Sequence, residues 1–167
     1  MGRISQTVCP QYLVDEPHAT EYTSLARAVA KIRAQDKRAL SFINLDGSNV
    51  SGVGAYNQTG WAREWSGRID ASASDLAGYT YQTYVQEFVD VVRPDVICYD
   101  HYPNFGRLGL GAGQQADARA QDTREDYIKN LRIVGEISRN ASIPMWLYFN
   151  IVPCTFARCD FARYGSR

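Results

Sequence analysis

Tyr12-Leu13-Val14-Asp15-Glu16-Pro17 is a short apolar run that ends on two adjacent carboxylates and a proline. Its length and its boundary predict a buried strand over 11–16. A strand that delivers two like charges at its end is costly, because each charge must be solvated or paired. The arrangement becomes useful where the strand end opens into a pocket. A carboxyl held there in its protonated form can give up its proton to a bound molecule.

The rest of the chain repeats this layout. Tyr22, Leu25, Val29 and Ile32 recur at helical spacing and predict a helix over 20–35, with Thr20 as its N-cap. Ala39 to Leu45 is an apolar second strand that ends at Asp46-Gly47. A long segment, 46–78, is rich in Gly, Ser and Asn and carries Tyr56, Trp61 and Trp65. Loops of that length in a compact domain are usually functional or disordered, and tryptophans argue against disorder. A second helix is predicted over 79–92, ended by Pro94. The third strand, Val96 to Tyr102, again ends on polar groups, and a Gly-rich loop over 103–122 follows it. A third helix is predicted over 124–139, with Thr123 and Asp126 resembling a capping box. Pro144 to Asn150 is the fourth strand, and 155–167 is an unpatterned tail.

The order βαβαβαβ predicts an α/β fold with four parallel strands and right-handed crossovers. All strand-to-helix loops then emerge at the C-terminal strand ends, where parallel α/β folds place their sites. Asp15, Glu16, His18, Asp46, Asp100, His101, Tyr102 and Asn150 converge there, with Trp61 and Trp65 on a loop able to fold over them. Carboxylates accept hydrogen bonds from sugar hydroxyls, and aromatic faces pack on the apolar face of a sugar ring. Hydrolysis of a glycoside needs two carboxyl groups, one to protonate the leaving oxygen and one to attack or to activate water. Each residue also has a plain structural reading. Asp15 and Glu16 suit a helix start, Asp46-Gly47 suits a turn, and the tryptophans could anchor the long segment.

Bulk properties narrow the partners. The 167 residues carry 18 Lys plus Arg and 18 Asp plus Glu, a net charge of +0 that argues against nucleic acid. No apolar run approaches a transmembrane span. Met1 to Gln6 shows no signal-peptide core, while sequons at Asn49, Asn57 and Asn140 are compatible with a secreted parent protein. Cys98 reads as a buried small hydrophobe, and Cys9, Cys154 and Cys159 do not have zinc spacing. No cofactor is expected. A metal-dependent hydrolase built on Asp46, Asp100, His18 and His101 is the minor alternative, since the chain has only 2 His.

Tyr12 to Pro17 resembles the fourth-strand motif of clan A glycoside hydrolases, which are TIM barrels. Pro94 to Pro103 resembles their sixth strand, Pro144 to Phe149 their seventh, and Ala39 to Leu45 takes the place of the fifth. The resemblance covers about residues 11–152. It implies a glycosidase in which Glu16 is the general acid/base and Asp15 positions substrate. Asp46, Trp61, Trp65, Asp100, His101, Tyr102 and Asn150 would contact the carbohydrate. One departure matters: the seventh strand of those enzymes ends in a nucleophilic Glu, and here Phe149 or Asn150 stands there. Asp46 or Asp100 is then the second carboxylate, or the chain binds a glycan without cleaving it.

A full barrel has eight strands and about 250 residues. Four strands correspond to a partial (β/α)8 barrel. The expectation is a single domain over 1–167 that is a fragment of a longer product, or a half-barrel that self-associates through its exposed sheet edges.

Overall fold

The computed structural model describes residues 10–47, 58–101 and 119–148. Tyr56, Tyr102, Phe149, Asn150, Cys9, Cys154, Cys159, the sequons at Asn49 and Asn57 and the 155–167 tail lie outside the described residues.

Four strands form one parallel sheet in the order β1-β2-β3-β4: β1 Pro10–Asp15, β2 Leu40–Leu45, β3 Ile97–Asp100 and β4 Met145–Tyr148. Between them run α1 Tyr22–Gln35, α2 Gln58–Ser66, α3 Tyr81–Val92 and α4 Arg119–Ala141. The α/β class and the four parallel strands therefore agree with the sequence reading.

β2, β3 and β4 alternate between two environments, as the pleat requires. Ile43, Leu45, Ile97 and Tyr99 face one hydrophobic cluster with Tyr22 and Val29 of α1, six residues of α3 including Tyr84 and Phe88, and Val134 and Ile137 of α4. All three long helices thus share one core against the same strand residues. Full burial of a side chain such as Phe88 or Ile97 contributes roughly 1.5–3 kcal/mol. The opposite set, Phe42, Trp146 and Tyr148, forms an aromatic group of its own.

Local corrections have physical causes. The segment 46–78 is not all loop, because α2 occupies 58–66. Trp61 and Trp65 stand one helical turn apart, stacked with ring centroids 5.7 Å apart. Thr20 is not the N-cap of α1, since a 3-10 turn over Ala19–Glu21 precedes it. The backbone N–H of His18 donates to Glu21 Oε2 at that turn. Thr80 caps α3 by accepting from the Thr83 N–H at 3.2 Å. The fourth helix begins at Arg119, before the Thr123 start read from the sequence.

Candidate active site

β1, β2 and β3 point the same way, so their C-terminal ends share one side of the sheet. Each of these ends carries acid: Asp15 and Glu16, Asp46, and Asp100. Leu45 pairs with Tyr99, so Asp46, one residue on, stands level with Asp100. Their approach requires Gly47. A Cβ at that position would collide with the Asp100 carbonyl oxygen and sit 3.3 Å from His101 Nδ1.

β1 reaches the group through an irregularity. Tyr12 pairs with Phe42, but Val14 pairs with Ile43, so one residue is extra in β1. Bulges of this kind re-aim side chains near sites. Without it, Val14 rather than Asp15 would stand opposite Asn44. As it is, Asn44 Nδ2 donates to Asp15 Oδ1 at 3.0 Å. Glu16 follows with φ +44, a left-handed backbone at a non-glycine residue that precedes proline. Such conformations cost of order 1–3 kcal/mol and persist only where the surroundings impose them. Here the Glu16 N–H donates to the Asn44 carbonyl at 2.8 Å, and Tyr84 Oη donates to the Pro17 carbonyl at 2.7 Å.

One oxygen from each of Glu16, Asp46 and Asp100 lies within 4.8 Å of the other two. Two negative charges that close repel by roughly 3–4 kcal/mol at an effective dielectric of about 20. Three full charges are therefore not sustained together, and protons or a cation must offset them. The Glu16 carboxyl is held above its ordinary value by partial burial first, then by the charges of Asp100, Asp15 and Glu64. Asp46 is pushed well above its ordinary value, again by burial first and then by Glu16 and Asp100. Trp65 Nε1 donates to Asp46 Oδ2 at 3.2 Å and opposes that rise, while Tyr81 Oη donates to the Asp46 carbonyl at 2.9 Å.

Such a cluster can hold and hand over a proton. The same three oxygens also suit a hard divalent cation, which takes carboxylate ligands. His18 and His101 belong to no such group among the described residues. His18 Nδ1 lies 2.6 Å from the Glu64 carbonyl and must be the donor there. His101 is buried, and its Nδ1 accepts from Asn130 Nδ2 at 2.9 Å. The histidines tie the site to α2 and α4 rather than forming a metal centre with Asp46 and Asp100.

Trp65 takes a different place from an open platform. Trp65 is 4% exposed, and Trp61, Tyr81 and Tyr84 surround its ring. Its work is to hold Asp46. Trp61 is half-buried against it. Sequence reasoning missed Glu64, Tyr81, Tyr84 and Gly47. Tyr81 and Tyr84, three apart at the start of α3, carried a helical-face signal, whereas the bulge in β1 carried none. No protein family, curated protein or solved structure matches the chain.

Proposed function

We propose that the chain is a glycoside hydrolase-like segment that cleaves an O-glycosidic bond with Glu16 as general acid/base. The observation that carries this reading is the convergence of Glu16, Asp46 and Asp100 within 4.8 Å at the C-terminal strand ends. A raised carboxyl is protonated where an ordinary one is not, as a general acid must be. Sequential strand order, with the long helices sharing one core, supports winding as the fourth to seventh strands of a (β/α)8 barrel.

The close spacing favours the retaining geometry, about 5–5.5 Å between carboxyls, over the inverting one, about 6.5–9.5 Å. Trp65 Nε1 already occupies one oxygen of Asp46, and we take Asp100 as the second carboxylate. Glu16 protonates the leaving oxygen as Asp100 attacks the anomeric carbon. Glu16 then takes a proton from the water that displaces the sugar from Asp100. Asp15 positions substrate.

A panel of aryl glycosides tests the proposal. Wild type releases the aryl alcohol from at least one member, and Glu16→Gln lowers that rate by about 100-fold or more. Chelator leaves the rate unchanged, whereas a chelator-sensitive rate would favour the cation reading of the same carboxylates. The second reading is a glycan-binding segment without turnover, favoured by Phe149-Asn150 standing where clan A glycoside hydrolases carry Glu. Saturable binding with no cleavage would select it, and a Glu16→Gln variant at full rate would remove Glu16 from its role.

A further inference from the structure

We propose that Tyr148, backed by Trp146 and Phe42, is the aromatic platform on which a sugar ring of the substrate stacks beside the carboxylates. This rests on the carbohydrate reading above but not on turnover.

β4 has two faces. Met145 and Leu147 pack against the helix-side core. Trp146 and Tyr148 take the opposite face and remain 45% and 55% exposed. Phe42, buried on β2, braces both rings at centroid distances of 6.0 and 6.1 Å, its plane at 77° to that of Tyr148. The bracing holds Tyr148 in place while leaving much of its surface open.

Register then links this patch to the acids. Asp100 and Tyr148 are direct partners across β3 and β4, and the His101 N–H donates to the Tyr148 carbonyl at 2.9 Å. Paired residues on neighbouring parallel strands project to the same side, about 4.8 Å apart. The backbone positions of Asp46, Asp100 and Tyr148 thus form one row along the strand ends. That spacing is about the width of a sugar ring, so a glycoside with its bridging oxygen at Glu16 and Asp100 would lay one ring toward Tyr148.

The mixed chemistry of the row selects the occupant. A purely apolar partner on Tyr148 and Trp146 would also strip water from Glu16, the exposed member of the carboxylate group, without offering it a donor. A pyranose supplies both halves. Its hydroxyls donate to the carboxylates, and its C–H face meets the electron-rich face of the ring.

The test is a binding titration that needs no turnover. Soluble cello-, xylo-, manno- and galacto-oligosaccharides are titrated into Glu16→Gln protein, followed by calorimetry and tryptophan emission. At least one series binds and perturbs the emission, and Trp146→Phe removes most of that response. Tyr148→Ala weakens binding by about tenfold, while Tyr148→Phe, which keeps the ring, stays within about twofold. Tyr148→Ala gives up the ring contact with Phe42 and lowers the unfolding midpoint, so binding is compared at a temperature where both proteins are folded. Binding through Tyr148 by a protein that cleaves no glycoside would end the catalytic reading and leave the platform standing. Cleavage with unchanged KM in Tyr148→Ala would do the reverse. Absence of binding by every series overturns the platform, as does a dimer by light scattering that Tyr148→Ala converts to monomer.

Discussion

The two ends of the sheet treat charge in opposite ways. At the N-terminal end, Arg33 of α1 reaches Asp95 just before β3, with Nη2 2.7 Å from Oδ1. The same guanidinium donates to the Arg93 carbonyl at 2.7 Å, and Asp95 Oδ2 accepts from the Ser41 N–H of β2 at 3.3 Å. One ion pair ties together α1, the end of α3 and two strands. At the C-terminal end, the charges that bear on Glu16 are Asp100, Asp15 and Glu64, all of its own sign. Opposite charges hold the frame, and like charges crowd the place where the loops open. A fold gains nothing in stability from the second arrangement, and that is the physical reason to read it as a site.

Gly47→Ala is the strongest way to break this contrast. The added methyl must push β2 and β3 apart at the Asp100 carbonyl, or turn the 46–47 peptide. Overpacking of this kind costs about 1–3 kcal/mol, read from the urea midpoint. Asp46 and Asp100 separate together with their strands, so the proposed activity should fall further than the stability loss explains. Unchanged activity would mean that the spacing of these two carboxylates does not matter. Arg33→Ala is the counterpart at the other end. It removes charge-assisted hydrogen bonds from partly exposed groups and should cost about 1–2 kcal/mol in the same measurement. The activity of the folded protein should stay at the wild-type level, because Arg33 is remote from the strand ends that carry the acids. A large loss of rate in folded Arg33→Ala would erase the division between frame and site.

The frame was legible in the sequence because its signals are local. Val96-Ile97-Cys98-Tyr99 is a continuous apolar run, and all four residues are buried. Tyr81, Tyr84, Val85 and Phe88 repeat at helical spacing, and all four enter the core. The site was legible only as a set of strand-end residues. Asp46-Gly47 reads equally well as a plain turn, and only the Leu45–Tyr99 register sets Asp46 beside Asp100. Trp65 has the same identity whether it is a platform or a core residue. Its three aromatic neighbours, two of them on α3, decide between these roles. Tyr148 lay inside a predicted strand, but its face depends on pairing parity, which no composition reveals. The left-handed backbone at Glu16 is imposed by contacts from β2 and α3, far away in sequence.

The smallest effect carries the most specific sign. Asp46 binds its proton more tightly in the folded chain than its ordinary value of 3.8 allows. The folded state then holds more protons than the unfolded one, so stability falls as pH rises. The contribution is fully present below 3.8 and is lost as pH climbs through the raised value. Glu16 shifts in the same direction and adds to the slope. Asp46→Asn keeps an oxygen to accept from Trp65 Nε1 but cannot ionise. Its unfolding midpoint should therefore exceed that of wild type at pH 7 by an amount worth about 1 kcal/mol, the usual gain when a strained functional group is relieved. That gain should shrink on acidification and vanish once the wild-type carboxyl is protonated in both states. Activity should fall in the same variant, because an amide there removes one of the three converging carboxylates. A loss of stability at pH 7 would show instead that the ionised Asp46–Trp65 hydrogen bond outweighs the crowding. In that case the strand ends would be one more structural tie, like Arg33 and Asp95 at the opposite end of the sheet.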